Sequence, residues 1–232
     1  PIYLDYPLYQ GYNLIYTALP IIAFGMFDKD VSQEWSIATP SLYGAGSLRN
    51  GKAEFLSKRI FWQWIGEGFI HATLIVAVCS MLLDKSPGNV TSQDGKTHGI
   101  WYYGATIHLC VCTVVTLRLL IINKTISKIM LATYFVSFLL WIATLYIWSE
   151  TKTFPELLSS SSNAFGIVKM LRDSGMWATF IVTSVAAILP SFVLQSYREI
   201  FNPTEADLTR QREHNLCRHG KPGTVHPTTP AN

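Results

Sequence analysis

Charge is scarce in this 232-residue chain: Asp, Glu, Lys and Arg make up 14% of it, against 49% hydrophobic residues. An ordinary soluble domain carries about a quarter charged residues, so that class is excluded. Net charge is only +3, so nucleic acid is not an expected partner. Cysteine is sparse too. Of the four, Cys79, Cys110 and Cys112 lie inside apolar runs, where a free thiol behaves as a small hydrophobe, so a disulfide framework is excluded. There is no Walker-type Gly-rich loop and no candidate catalytic triad. In the tail, His214, Cys217 and His219 supply three metal-ligand types without a fourth, so no metal site is expected. No initiator Met, basic leader or cleavage site opens the sequence, and the chain is expected to be a piece of a longer polypeptide.

Apolar runs are what the chain has in plenty. On the criterion that about 20 apolar residues cross the ~30 Å hydrocarbon core, five spans are expected, at 6–27, 61–83, 101–122, 126–148 and 176–194. The fold class is therefore an all-α, multi-pass transmembrane helix bundle. Aromatic residues fall where interfacial belts belong: Trp62 and Trp64, Trp101 to Tyr103, Trp148, Trp177 and Tyr197. Lys and Arg divide unevenly between the two sets of loops, thirteen against five. The positive-inside rule makes the richer set cytosolic, with the N-terminus luminal or outer and the tail cytosolic. A glycosylation sequon, Asn89-Val90-Thr91, falls on the outer side, whereas Asn123-Lys124-Thr125 lies in a short cytosolic turn and is expected to be inert. Residues 28–57 form a cytosolic loop long enough to meet a soluble domain, or else a disordered link. Residues 1–200 form the membrane domain, and 201–232 read as a mostly disordered cytosolic tail.

Several spans carry polar residues that insertion alone does not need. In the first, Pro20 offers no N–H and its ring collides with the Tyr16 carbonyl, so a continuous helix must kink or open there. Asn13 and Thr17 share a helical face beside that break. In hydrocarbon, a broken helix is tolerated only where protein or a water-lined cavity satisfies the freed carbonyls. In the second span Gln63, Glu67 and His71 are spaced i, i+4, i+8 on one face. They read either as a seam pairing with another helix or a headgroup, or, the favoured reading, with Glu67 hydrated near the cytosolic interface and replaceable by Asn. His108 reads as a packing residue more than as a proton relay. Arg118, Lys124, Lys128, Arg198 and Lys58 mark topology or form a basic collar for an anionic lipid.

The order YN-x₃-TALP-x₄-G-x-FDKDV over residues 12–31, Pro40-x-Leu42-Tyr43, and Phe61-Trp62-x-Trp64-x₃-Gly68-Phe69-x-His71 resembles the C-terminal membrane half of the P4-type ATPases, the phospholipid flippases. Gly175-Met176-Trp177 before the last span, and Tyr197-Arg198 with Pro203 after it, extend the likeness. The resemblance implies that the five spans are helices six to ten of ten. It implies an ATP-driven translocase carrying phospholipid from the outer or luminal leaflet to the cytosolic one, in the plasma membrane or Golgi and endosomal membranes. The phosphorylated DKTGT segment and the GDG-x-ND motif lie upstream in such proteins and are not in this sequence. ATP and Mg²⁺ are therefore expected in the missing upstream domains, and this chain alone is not expected to be catalytic. A two-span glycosylated accessory subunit is an implied partner, beside the lipid and the N-terminal remainder. Asn13 matches the family's YN position near the headgroup path, with Tyr12, Tyr16 and Thr17 as hydroxyl contributors; an amide offers donors and an acceptor without an ion's desolvation cost. The alternatives are a non-catalytic, flippase-like scaffold or lipid-binding module of a larger assembly, and an unrelated receptor or channel.

Overall fold

The apolar runs become helices in the computed structural model, which describes residues 6–39, 42, 48–49, 52–53, 58–85, 100–150, 170–201, 203 and 205–218. The chain enters through α1 (Tyr6–Gly11), a π-helical turn (Tyr12–Tyr16) and α2 (Ala18–Phe27), followed by the short α3 (Gln33–Ala38). A two-residue ladder pairs β1 (Leu48–Arg49) antiparallel with β2 (Lys52–Ala53). Then come α4 (Lys58–Lys85), α5 (Ile100–Ile122), α6 (Lys128–Glu150), α7 (Ser174–Phe201) and α8 (Glu205–Arg218). The architecture is an all-α membrane bundle. Four stretches, Lys58–Leu83, Tyr102–Ile122, Lys128–Ile147 and Ser174–Phe201, are each long and apolar enough to cross a bilayer. The stretch expected as the first span is built from three stacked segments instead of one helix. Helices α4 and α7 run past their apolar cores into charged residues such as Lys58 and Glu199.

Helix α5 is the hub. It packs against α4 and α7 on one side and against α2 and α6 on the other, while α6 also covers the π turn. Its buried residues Ala105, Leu109, Cys110 and Val114 face Ile75 and Cys79 of α4, Trp141 of α6 and Ala187 of α7 in one core. Hydroxyls are accommodated there by bonding back along their own helix: Thr106 Oγ1 donates to the Tyr102 carbonyl at 2.9 Å, and Thr116 Oγ1 to that of Cys112 at 2.7 Å. The outward faces carry Phe69, Val76, Leu139, Val185 and Phe192, all exposed. In water such a surface would be a liability; against lipid tails it costs nothing.

Caps and turns are legible locally. Ser127 Oγ accepts the Met130 N–H at 3.2 Å to start α6, and Asp173 Oδ1 accepts the Gly175 N–H at 2.9 Å to start α7. Between α5 and α6, Asn123 Oδ1 accepts the Thr125 N–H at 3.1 Å, and Asp28 Oδ1, just past α2, accepts the Lys124 and Thr125 N–H groups at 3.0 and 2.9 Å. Asn123 is itself buried. Asn89 lies outside the described residues.

Residues 205–218, expected within a mostly disordered tail, form α8. It docks through Glu213, whose Oε2 accepts the Ser32 N–H at 3.3 Å, and through Asp207, whose Oδ1 meets Lys124 Nζ at 3.0 Å. Pro203 followed by Glu205 and Asp207 is a helix-start signal that composition obscured.

Candidate functional site

The broken entry helix opens one turn before Pro20. The Thr17 N–H reaches back five residues to the Tyr12 carbonyl at 3.1 Å, and Thr17 Oγ1 donates to the same oxygen at 2.9 Å. Pro20 then falls in the first turn of α2, where its missing N–H leaves no bond unmade. Single π turns of this kind recur at functional sites.

Asn13 is exposed, Tyr12 is half-buried, and Tyr16 and Thr17 are buried, so the residues proposed to act together differ in how far they reach the outside. Of the four proposed headgroup contacts, only Asn13 stands fully on the outside. Tyr16 folds inward over Gly11 and presents its ring edge to His108, with centroids 5.6 Å apart; Tyr12 does the same at 6.0 Å. His108 also accepts the Trp141 indole N–H on Nδ1 at 2.9 Å. An indole can only donate, so Nδ1 is the bare nitrogen of this imidazole. His108 thereby pins the π turn, α5 and α6 together. Trp141→Phe leaves Nδ1 only the Cys112 thiol, 3.8 Å away, and is expected to destabilise the protein by about 0.6 kcal/mol, the average for hydrogen bonds between membrane helices, and at most about 1.7 kcal/mol; thermal unfolding in detergent checks this.

A second polar constellation joins α4, α5 and α7. Arg118 Nη2 lies 2.8 Å from Glu67 Oε1 and 2.9 Å from Oε2. Ser191 Oγ donates to Glu67 Oε1 at 2.6 Å, and, its one proton spent, accepts from His71 Nε2 at 2.7 Å. Glu67 is therefore not a freely hydrated carboxylate, as the sequence suggested, but the centre of an interhelical network. Arg118 also sits over the Trp64 ring, 5.6 Å from its centroid, and its Nε and Nη1 are buried without a hydrogen-bond partner. One participant escaped the sequence reading: Ser191 looks like any small residue in a span, and it sits beside Pro190, which lies inside α7 without ending the helix.

Near the α5–α6 turn, Lys124 Nζ bridges Glu199 at 2.7 Å and Asp207 at 3.0 Å. Burial pulls its ammonium toward deprotonation, but the two carboxylates outweigh it and hold the pKa above the usual lysine value. Lys128 and Arg198 are exposed. Of the candidate basic collar, then, Arg118 and Lys124 are already charge-paired inside the chain.

No three His, Cys, Asp or Glu side chains converge on a metal-sized space among the described residues. The side chain of Cys217, and His219, lie outside the described residues.

Four helices long and apolar enough to cross a membrane, joined by a charged interhelical network and led by one interrupted helix, define a multi-pass membrane protein. Residues 2–204 match the family described as Phospholipid-translocating P-type ATPase C-terminal, and the chain belongs to that family. It is 28% identical over 195 residues to a phospholipid-transporting ATPase of Schizosaccharomyces pombe, covering 84% of this chain and 15% of that protein. It is 29% identical over 193 residues to Phospholipid-transporting ATPase DRS2 of Saccharomyces cerevisiae (83% and 14%). Over 235 residues it is 26% identical to Probable phospholipid-transporting ATPase 12 of Arabidopsis thaliana (98% and 19%). The chain thus spans less than a fifth of the length of these relatives.

Proposed function

We propose that this chain is the C-terminal membrane portion of an ATP-driven phospholipid flippase, which carries phospholipid from the outer or luminal leaflet to the cytosolic one. The family membership supports the class, and the opened helix with its exposed amide is the single observation that carries the role of this segment. Asn13 is the headgroup contact: its amide donates to phosphate or carbonyl oxygens and accepts from an amine. Tyr12, at the edge of the same surface, adds a hydroxyl. Tyr16 and Thr17 act from behind, holding the π turn open. The parent's ATP and Mg²⁺ belong to domains outside this chain, as does the aspartate that takes the phosphoryl group. The excess of Lys and Arg at the end carrying the α5–α6 turn supports a cytosolic tail and an outer N-terminal end for this chain, in a plasma, Golgi or endosomal membrane. A two-span accessory subunit is the expected partner.

At the cytosolic end, the exposed Lys128 and Arg198 are placed to meet an anionic headgroup; Arg118, half-buried and paired with Glu67, and Lys124, held by two carboxylates, are the less available. Asn13→Ala in the intact protein is expected to reduce lipid-stimulated ATP turnover while leaving phosphorylation from ATP in place. An unchanged lipid response would remove the residue from the transport path.

A further inference from the structure

Cys79 of α4, Cys110 of α5 and Thr183 of α7 meet inside the bundle, each with 0% exposure. The two Sγ atoms are 4.0 Å apart, and Cys79 Sγ is 3.6 Å from Thr183 Oγ1. Both cysteines are free thiols, and at that separation their sulfurs are in contact. An S–S bond is about 2.05 Å long, so forming one needs the pair to close by about 2 Å. Side-chain rotation and a small approach of α4 to α5 cover that distance together. We propose that Cys79 and Cys110 form a redox-sensitive dithiol, which hydrogen peroxide closes to a disulfide that staples α4 to α5 inside the membrane.

A buried thiol in apolar surroundings is ordinarily inert, because it does not ionise. Cys79 differs in having two hydrogen-bonding neighbours, the Thr183 hydroxyl and the Cys110 thiol, either of which can donate to its sulfur as charge develops there. Peroxide is small and neutral, and Cys79 lies six residues from the end of α4 at Lys85, about 9 Å along the helix. The Cys79 sulfur attacks one peroxide oxygen; the O–O bond breaks, the thiol proton leaves with the departing oxygen as water, and the sulfur is oxidised to a sulfenic acid. The Cys110 sulfur then attacks that sulfur, the S–O bond breaks, and the departing hydroxide carries off the Cys110 proton as a second water. Two thiols have lost two electrons, and one peroxide has become two waters. Held in contact, the Cys110 thiol reaches the sulfenic acid sooner than a second peroxide does, because the pair reacts within one molecule. The fold does not depend on the bond, since both thiols pack in the core without it. Closed, it fastens the hub helix α5 to α4 and leaves α6 and the π turn unlinked. Cys112, turned toward His108 with its Sγ 3.8 Å from Nδ1, takes no part.

The proposal goes beyond the flippase reading and needs only the packing of α4 on α5. The test uses the full-length parent in its native membrane, with a protease site placed within residues 86–99, between the two helices. After treatment with hydrogen peroxide, blocking of the remaining thiols and cleavage, the two fragments are expected to run as one species without reductant and to separate with it. Joining should be lost in Cys79→Ser and in Cys110→Ser and kept in Cys112→Ser. Cys79→Ala and Cys110→Ala take the place of the serine variants if those aggregate, since alanine puts no hydroxyl into the core. Fragments that separate without reductant, or joining that survives the loss of Cys79 or of Cys110, would overturn the proposal. So would a sulfenic or sulfinic acid trapped on Cys79 with the fragments apart. Lipid transport measured on the same membranes before oxidation keeps the two claims separate: a parent that moves no lipid but joins its fragments would sink the transport reading and leave the dithiol intact.

Discussion

Glu67→Leu is expected to be the most damaging single substitution in the bundle, costing about 3–5 kcal/mol, because it strands Arg118 inside the protein without its counter-charge. The side chains of Arg118 and Glu67 are only 13% and 26% exposed, so solvent can take over little of the lost interaction. Ser191 would lose the acceptor for its proton as well. Arg118→Met should cost less, since Glu67 keeps Ser191 and part of its surface is already wet. Removing both charges, Glu67→Leu with Arg118→Met, should recover much of the loss, because an apolar replacement of a buried pair is often neutral. Glu67→Asn, which the sequence alone suggests is tolerated, should cost nearly as much as Glu67→Leu, since the amide lacks the charge facing Arg118 and is one methylene too short to keep the 2.6 Å bond from Ser191. Thermal unfolding of the four variants in detergent gives the cycle. Additive losses from the two single charge removals would show that the pair is not coupled and that the contact is incidental.

That network also marks where sequence reasoning stopped. The membrane class, the helical segments and the family were legible because they rest on run length, on the rarity of charge and on ordered local motifs such as the stretch from Tyr12 to Val31. Asp28 in that stretch proves to be the clamp on the α5–α6 turn, a contact no spacing rule announces. Glu67 lies 51 residues from Arg118 and 124 from Ser191, and pairing at such separations leaves no periodic trace in a single sequence. The different exposure of Asn13 and Thr17 was not legible either, because a helical wheel gives angular position and not which flank a neighbouring helix covers. His108 was correctly seen as a packing residue. What could not be foreseen was that its partners, Tyr12 and Tyr16 in the π turn and Trp141 on α6, tie the opened helix to the bundle.

The glycines of the first two helical segments give a matched test of that tie. A Cβ on Gly11 would stand 2.9 Å from Tyr16 Cε2 and 3.0 Å from both its Cζ and its hydroxyl, whereas a Cβ on Gly25 would meet nothing within 4 Å. Both residues are in helices, where replacing Gly by Ala otherwise gains about 0.5–1 kcal/mol. Gly25→Ala should therefore be neutral or mildly stabilising. Gly11→Ala should lose about 1–3 kcal/mol from overpacking, because Tyr16 is 1% exposed and backed by His108, so its ring has nowhere to retreat. The clash outweighs the helical gain. Adding Tyr16→Phe should not rescue Gly11→Ala, since Cε2 and Cζ remain where they were. In the intact protein, Gly11→Ala should also blunt lipid-stimulated ATP turnover, because the displaced ring no longer holds the π turn against α5. Equal unfolding temperatures for the two alanine variants would mean that Tyr16 does not close over Gly11, and the mechanical link from the bundle to the exposed amide would have to be given up.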